Sequence, residues 1–319
     1  MRWTLPARPP FSLSAVLGSH GWVRLAPFGE DDRSGGLTYV GQLDSGRVVE
    51  MLIQEVAGGV SVEVNGRLSE AEQAEVARQV EWMLGLGQDF STFYALAREE
   101  PKLAHVEERA QGRLLRSPTL FEDTVKTILT TNTSWAGTIR MVKALVSQFG
   151  TPLPADPTRH AFPTPNQLAA TDEETLRSAV RLGYRAPYVL ELARSIASGT
   201  LRLRPSTLRL GSGQASLKTS SGQALDLEGF KTADIPTPQL RKQLLAIKGV
   251  GEYAAASLLM LLGRYDFVPV DSWALKLVSH EWYGGESIGR AEVETAFEHW
   301  GEWKGLAYWF WDWSHTGET

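Results

Sequence analysis

The chain has 319 residues and a mass of 35.2 kDa, which is enough for two or three packed units, and its 43% hydrophobic content is typical of a globular protein. The absence of cysteine excludes a disulfide framework, a cysteine-ligated zinc site and an iron–sulfur cluster. The net charge of −5 argues at first sight against an anionic partner, but the acidic surplus lies in the first 100 residues, and local basic stripes follow it.

Residues 37–68 predict an antiparallel β-sheet. Three apolar segments, at 37–43, 47–56 and 60–64, are separated by short turns that contain glycine. From there the apolar spacing becomes helical, and Ser69 with Glu72 has the pattern of a capping box.

The rest of the chain is predicted to be mainly helical. One amphipathic helix covers residues 139–149, a second opens at Thr171, and a third begins at Pro187 and ends at Gly199. The Gly/Ser-rich stretch 211–222 lacks a large apolar face and predicts a surface loop or an insertion.

These patterns predict an α+β fold that is predominantly α. We expect an N-terminal antiparallel β domain at residues 1–90, a helical domain at 91–235, and a second helical subdomain at 236–319.

Two predicted helices, at 239–247 and 252–262, flank a turn that contains Gly249 and Gly251. Glycine at both positions lets the backbone adopt φ > 0 and leaves N–H groups uncovered at the start of the second helix. Such a turn is a phosphate-sized, partly positive cradle. Asp271 follows it, 20 residues beyond Gly251 and after a β-like run.

A dinucleotide-binding fingerprint also fits the glycine spacing and the downstream acid. That fingerprint must follow a buried strand, whereas residues 239–247 have helical periodicity and carry Arg241 and Lys242. The chain after Asp271 is too short and too helical for the rest of a doubly wound sheet. An NAD-dependent oxidoreductase is therefore a disfavoured alternative.

Residues 244–271 resemble the helix–hairpin–helix, Gly/Pro-rich loop and aspartate of the base-excision DNA glycosylase superfamily. Residues 182–189 and 112–135 are similar to segments of its 8-oxoguanine glycosylases, and residues 300–311 are closer to 3-methyladenine DNA glycosylase II. The resemblance covers most of the chain but not the stretch 211–222.

The resemblance implies that the protein grips a strand and turns a damaged nucleotide out of the duplex, at a cost of a few kcal/mol. The turn residues Gly249, Val250 and Gly251 would bind a phosphate through their amides, and Lys248 would be a further phosphate contact. It also implies that a monovalent cation could bind the main-chain carbonyls of Leu245, Ile247 and Val250.

Asp271 is the expected catalytic residue, because a carboxylate can stabilise an oxocarbenium-like sugar or deprotonate water. On the local pattern alone it is an ordinary N-cap, and both roles can coexist. Members with lyase activity carry lysine two residues after the second glycine of the turn, where this sequence has Tyr253. We therefore expect a monofunctional glycosylase. Tyr253, Trp273 and Tyr308 are expected to line the base pocket, although core packing is the ordinary role of such aromatic residues.

Asn132 and Arg185 match positions that contact the orphaned partner base in the 8-oxoguanine family, and Tyr184 could wedge into the vacated stack. Arg185 could equally be one more solvated charge. The tyrosines at 253 and 308 favour an alkylated purine, whereas the Asn132 segment keeps oxidised guanine open. A DNA-binding protein without chemistry is a further alternative, against which the presence of Asp271 weighs. The expected partner is double-stranded DNA that contains a damaged base. We expect a monomer without a membrane segment, located in the cytoplasm and, in a bacterium, associated with the nucleoid.

Overall fold

The computed structural model describes residues 1–31, 34–202, 225–226, 231 and 235–314, so the predicted insertion at 211–222 lies outside it. A five-stranded antiparallel sheet occupies the N-terminal region, with the strand order β1-β5-β4-β3-β2. Its strands are β1 (Arg2–Pro6), β2 (Phe28–Asp31), β3 (Gly36–Gln42), β4 (Val48–Val56) and β5 (Gly59–Val64).

The structure confirms the predicted antiparallel sheet and adds two edge strands that the sequence pattern did not reveal. The strands β1 and β2 are short and lie beside prolines, so neither shows a long alternating pattern. Pairing with β5 and β3 supplies the hydrogen bonds that define them.

Among the described residues that follow β5, helices predominate, as predicted. The described helices are α1 (Leu13–Leu17), α2 (Glu70–Leu84), α3 (Ser91–Ala97), α4 (His105–Glu108), α5 (Leu120–Thr130), α6 (Trp135–Phe149), α7 (Pro165–Ala169), α8 (Glu173–Ser178), α9 (Ala186–Ala197), α10 (Thr237–Leu245), α11 (Glu252–Leu261), α12 (Ser272–Trp282), α13 (Arg290–Ala296) and α14 (Lys304–Phe310). The architecture is therefore α+β and predominantly α.

Local capping chemistry sets several helix boundaries. Ser69 and Glu72 form both halves of the capping box that starts α2, as the sequence predicted. The N-cap of α8 is Asp172 instead of the predicted Thr171, because the Asp172 carboxylate accepts the N–H of Thr175 at 2.8 Å. Helix α9 begins at Ala186, one residue before the expected Pro187.

Two small strand pairs interrupt the helical region and were not predicted. Strands β6 (Pro152–Leu153) and β7 (Asp156–His160) form an antiparallel hairpin, and β8 (Leu201–Arg202) pairs in parallel with β9 (Leu225–Asp226). Each contains a strand of only two residues, which is too short to give a period in the sequence.

One continuous hydrophobic core links the sheet to the C-terminal helices. The indole N–H of Trp309 in α14 donates to the main-chain carbonyl of Ser19 at 2.8 Å, across 290 residues of sequence. Phe93 of α3 packs against Trp300 and Trp303 from the C-terminal region. The segment around Ser19 and helix α3 therefore both pack against aromatic residues of the C-terminal region. Within the described residues, no helix is both long and apolar enough to cross a bilayer.

A buried ion pair fastens α5 to the sheet. Lys126 and Glu122 lie one turn apart with 2.6 Å between Nζ and Oε1, and both side chains are almost completely buried. The hydroxyl of Tyr39 in β3 donates to the same carboxylate at 2.7 Å. The Glu122 carboxylate thus has two partners, the Lys126 amine and the Tyr39 hydroxyl. A buried charge is tolerated when it is paired and hydrogen-bonded in this way.

Replacement of Lys126 by methionine should therefore destabilise the protein by about 3–5 kcal/mol, because it leaves the Glu122 charge buried with its cationic partner removed. The measurement is the free energy of unfolding in urea. Arg98→Met is the matched control, since it breaks the exposed Arg98–Glu107 pair and should change the unfolding free energy little. Equal losses in the two variants would contradict this account.

Candidate active site

The turn between α10 and α11 requires glycine at one position and not at the other. Gly249 has φ +87°, and a Cβ there would lie 2.7–2.8 Å from ring and Cβ atoms of Tyr188 in α9. Gly251 has φ −90° and ψ −172°, an extended conformation with open space around the missing Cβ. The expectation that both glycines adopt φ > 0 thus holds for Gly249 and is wrong for Gly251.

The amides of the turn divide into used and available donors. Val250 donates its N–H to the carbonyl of Ile247 at 3.0 Å, so this amide is not available for the phosphate contact predicted from the sequence. The N–H groups of Gly249 and Gly251 donate to no other described residue, and no side chain caps α11. These two amides lie at the positive end of the α11 dipole, where negative charge is favoured.

Carbonyl groups around the same turn are the expected ligands of a monovalent cation. Leu245 ends α10, and Ile247 and Val250 follow in the turn. The Ile247 carbonyl accepts one hydrogen bond and keeps a second lone pair, so its chemistry fits a weak cation ligand. Within the described residues, no group of three or more His, Asp and Glu side chains forms a metal site.

Lys248 projects from the turn into solvent. Its Nζ lies 2.7 Å from Oε2 of Glu191 in α9, and both side chains are at least half exposed. The hydrogen bond and charge of Glu191 raise the pKa of Lys248, which keeps the amine positive. Because an exposed pair contributes little stability, a phosphate can compete with Glu191 for this amine.

Asp271 is the N-cap of α12, and its side chain is exposed. Its Oδ1 accepts the N–H of Ala274 at 2.8 Å, whereas Oδ2 accepts no hydrogen bond from the described residues. Burial, followed by the negative charge of Asp271, raises the pKa of Tyr253 and of Tyr308. The capping role is therefore present, and one carboxylate oxygen is available near two phenol groups.

A cavity of about 300 Å³ lies beside Tyr253. Aromatic side chains from distant parts of the chain form much of its wall, and the described lining contains no Lys, Arg, Asp or Glu. The lining residues are His20, Gly21, Trp22, Leu114, Thr127, Thr130, Thr133, Trp135, Thr138, Tyr253, Ser257, Met260, Leu261 and Trp309. The cavity thus combines aromatic surface with hydroxyl groups and carries no ionised side chain.

Several hydroxyl groups of the lining have already donated their hydrogens to the backbone. Thr130 donates to the carbonyl of Thr127 at 2.7 Å, Thr138 to Leu129 at 3.1 Å, and Ser257 to Tyr253 at 3.0 Å. The hydroxyl oxygens of Thr130, Thr138 and Ser257 can therefore offer a ligand lone pairs instead of hydrogens.

His20 contributes a neutral ring to the cavity. One ring nitrogen, Nε2, lies 2.6 Å from the carbonyl of Leu115, so it must carry the hydrogen of that bond. Burial lowers the pKa of His20 to about 4, which makes the ring uncharged at pH 7. The ring also packs edge-on against Trp22, with 4.7 Å between centroids.

Sequence reasoning missed the segment that carries His20, Gly21 and Trp22. His20 is the N-cap of a single turn of 3-10 helix, Gly21–Arg24, which contains the other two residues. This turn is too short to show a hydrophobic period. A Cβ at Gly21 would lie 2.2 Å from the ring of Trp135, so glycine here permits close contact with α6. No local signal distinguishes this glycine from one in an ordinary turn.

Only one of the three residues expected in the base pocket lies on the described lining. Tyr253 does, but Trp273 is 53% exposed beside Lys276 at the start of α12. Tyr308 is buried and packs against Phe297 and Trp313, close to Asp271 but off the cavity wall. The aromatic pattern therefore identified residues near the carboxylate without locating the cavity.

Asn132, Tyr184 and Arg185 come together beside the end of α5, although 52 residues separate Asn132 from Tyr184. The Asn132 amide nitrogen lies 3.3 Å from the Tyr184 hydroxyl, and the Arg185 guanidinium lies over the Tyr184 ring at 4.5 Å. Asn132 has φ +47°, a conformation that asparagine tolerates better than most residues.

Arg185 is only 6% exposed, so the alternative of a solvated charge is wrong. Its guanidinium donates to the carbonyls of Thr131 and Asn132, with 3.1 Å to Asn132. The arginine thus braces the loop after α5, and Asn132 and Tyr184 are the exposed members of the cluster.

A family model described as HhH-GPD superfamily base excision DNA repair protein matches residues 125–302. This span contains the turn, Asp271 and the Asn132 cluster. The chain belongs to the HhH-GPD superfamily.

Known proteins of this superfamily resemble the chain over most of its length. A probable N-glycosylase/DNA lyase of Methanothermobacter thermautotrophicus is 24% identical over 253 residues, which cover 72% of each protein. The 3-methyladenine DNA glycosylase of Archaeoglobus fulgidus has a similar fold, with a TM-score of 0.70, 20% identity and 97% coverage of both chains.

An 8-oxoguanine glycosylase/lyase of Clostridium acetobutylicum, solved with double-stranded DNA that has cytosine opposite 8-oxoguanine, is equally similar in fold. Its TM-score is 0.70 at 18% identity, and the match covers 98% of this chain and 97% of that one. Glycosylases named for 3-methyladenine and for 8-oxoguanine thus share this fold, so the fold does not select between alkylated and oxidised bases.

The geometry of the turn predicts opposite tolerances at its two glycines. Gly249→Ala should lower the melting temperature, because alanine at φ +87° costs about 1–2 kcal/mol and its Cβ also meets Tyr188. Gly251→Ala is the matched control, and it should melt within a degree or two of wild type because its extended backbone and open surroundings accept a Cβ. Differential scanning calorimetry decides the matter, and the reverse order of stability would contradict the described turn.

Proposed function

We propose that the protein is a monofunctional DNA glycosylase that turns a damaged purine out of double-stranded DNA and removes it by hydrolysis, with alkylated purines as its main substrates. Membership of the superfamily supports the glycosylase activity. The observation that carries the choice of substrate is the aromatic cavity beside Tyr253, whose described lining holds no ionised side chain.

Contacts with the DNA backbone have to offset the free energy of turning the nucleotide out of the stack, a few kcal/mol. The free amides of Gly249 and Gly251 would hold a phosphate, and Lys248 would exchange Glu191 for a second one. A monovalent cation at the carbonyls of Leu245, Ile247 and Val250 would strengthen the same anion site when bound. The exposed Tyr184 and Asn132 would occupy the space that the nucleotide vacates.

Asp271 would act on the sugar after eversion. As the base departs, positive charge develops on the sugar, and the free Oδ2 of Asp271 would stabilise this charge or accept a proton from the attacking water. The bond from Oδ1 to Ala274 fixes the side chain, so little reorganisation accompanies the reaction.

The cavity chemistry favours a base that is electron-poor. Purines alkylated on ring nitrogens carry positive charge and leave readily, so they need surrounding aromatic faces more than a general acid. Trp22, Trp135 and Trp309 supply such faces, and neutral His20 adds no opposing charge. The lone pairs of Thr130 and Ser257 suit the N–H groups at a purine edge.

An oxidised purine is the second candidate. The segments that resemble 8-oxoguanine glycosylases contain Asn132, Tyr184 and Arg185, and these three residues form one cluster. Duplexes that each contain one lesion separate the two. We expect wild-type protein to release 3-methyladenine and 7-methylguanine at least about tenfold faster than 8-oxoguanine. Binding pockets commonly discriminate between closely related substrates by about this factor or more.

Asp271→Asn should lower release of the preferred base by about 100-fold or more, because the amide retains the N-cap contact and loses the charge. Release is scored by alkaline cleavage of the abasic product. Tight binding of the variant to the same duplex is the control for folding. Faster release of 8-oxoguanine would replace the alkylated substrate with the oxidised one, and full activity of Asp271→Asn would remove the carboxylate from the mechanism.

Tyr253 supports hydrolysis without strand cleavage. A lyase forms a Schiff base through an amine at the sugar, and the described lining contains no lysine. Burial raises the pKa of the Tyr253 phenol, so the phenol is a poor nucleophile at pH 7. The name of the Methanothermobacter relative includes lyase activity, which makes a direct test necessary.

Borohydride should therefore trap no covalent adduct between the wild-type protein and DNA from which it is releasing a base. The Clostridium 8-oxoguanine glycosylase/lyase provides a positive control on an 8-oxoguanine duplex. The readout is a shifted band on a denaturing gel. A trapped adduct that persists in Lys248→Ala and Lys276→Ala would reveal an amine nucleophile not included in this mechanism.

A further inference from the structure

Thr127 has a buried hydroxyl without a hydrogen-bond partner among the described residues, which is unusual in the middle of a helix. The residue lies in α5, is 1% exposed and lines the cavity. Three nearby threonines do have partners. Thr124, Thr130 and Thr131 donate to the carbonyls of Leu120, Thr127 and Ile128, respectively.

An unpaired hydroxyl at a buried position is destabilising, because the group has lost its hydrogen bonds with water and gained none in return. Threonine in a helix ordinarily avoids this penalty by donating to the carbonyl of the preceding turn. Thr124 does so at 2.7 Å, on the same helix and with equal burial. The free hydroxyl of Thr127 thus points to a ligand that supplies the missing partner.

We propose that Thr127 is a specificity-determining residue whose hydroxyl donates a hydrogen bond to the everted base. The inference rests on the proposed glycosylase function and deepens it. Thr130 and Ser257 have committed their hydrogens to the backbone, so Thr127 supplies a donor on a wall where its neighbours supply acceptors. The favoured base therefore carries an acceptor, a ring nitrogen or a carbonyl oxygen, at the edge that meets α5.

Replacement of Thr127 by valine removes the hydroxyl at nearly constant shape, and replacement by serine retains it. Thr127→Val should lower kcat/KM for release of 3-methyladenine from duplex DNA by about 3- to 10-fold, the worth of one net hydrogen bond. Its melting temperature should equal or exceed that of wild type, since the unpaired group is gone. Thr127→Ser should release the base at a rate within about twofold of wild type, because serine keeps the hydroxyl donor.

Thr124→Val is the matched control. It removes a satisfied hydroxyl from the same helix at a position outside the described lining, so it should lower the melting temperature and leave release unchanged. DNA with a tetrahydrofuran abasic analogue should bind wild type and Thr127→Val equally, because it presents no base. Wild-type kinetics in Thr127→Val, or a loss of stability and of abasic-DNA binding in that variant, would overturn the inference.

Binding of free 3-methyladenine separates this inference from the proposed function. Trp22, Trp135 and Trp309 line the cavity, so their fluorescence should report an entering base without any chemistry. If wild type releases no base but binds the free base more tightly than Thr127→Val does, the glycosylase proposal fails and the Thr127 contact stands. Equal binding by the two proteins overturns the contact, and absence of both release and binding in wild type overturns both proposals.

Discussion

The buried carboxylate of Asp123 holds the wall of the cavity in place. Its Oδ1 accepts the indole N–H of Trp22 at 2.8 Å and the main-chain N–H of Ser117 at 2.9 Å. Burial raises the pKa of Asp123 to about 6. Because this pKa exceeds that of the unfolded chain, the contribution to stability is greatest below about pH 4 and is lost as the pH rises through 6. At neutral pH the Asp123 carboxylate is therefore a buried charge that destabilises the fold. Its hydrogen bond to the indole N–H fixes the position of Trp22.

Helix α5 connects this network to the rest of the site. Glu122 and Lys126 join the helix to the sheet, while Thr127 and Thr130 on the same helix reach the cavity. The loop that follows α5 carries Asn132, held by Arg185. One rigid element thus fixes the position of the cavity relative to the exposed pair Asn132 and Tyr184. Rigid support of this kind is what a site needs if a flipped base and the vacated stack are to be engaged together.

The sequence could predict features that depend on neighbouring residues. The capping box of α2, the central strands, the glycine turn and Asp271 as an N-cap all follow from local patterns. The cavity could not be predicted in this way, because its wall joins residues as distant as His20 and Trp309 through tertiary packing. For the same reason the exposure of Trp273 could not be predicted. Its place in a helix follows from the local pattern, but its burial depends on tertiary packing.

Tyr253 links the cavity to the carboxylate and bears on the chemistry of both. A lysine at this position would place an amine near the sugar, whereas burial raises the pKa of the Tyr253 phenol, which keeps it neutral. Under the proposed mechanism Tyr253 supplies no competing nucleophile, so water would attack the sugar beside Asp271. A base that already carries positive charge leaves without a proton donor, which fits a described lining without Asp, Glu or Lys. The identity of residue 253 and the neutrality of the cavity therefore favour the same reaction on independent grounds.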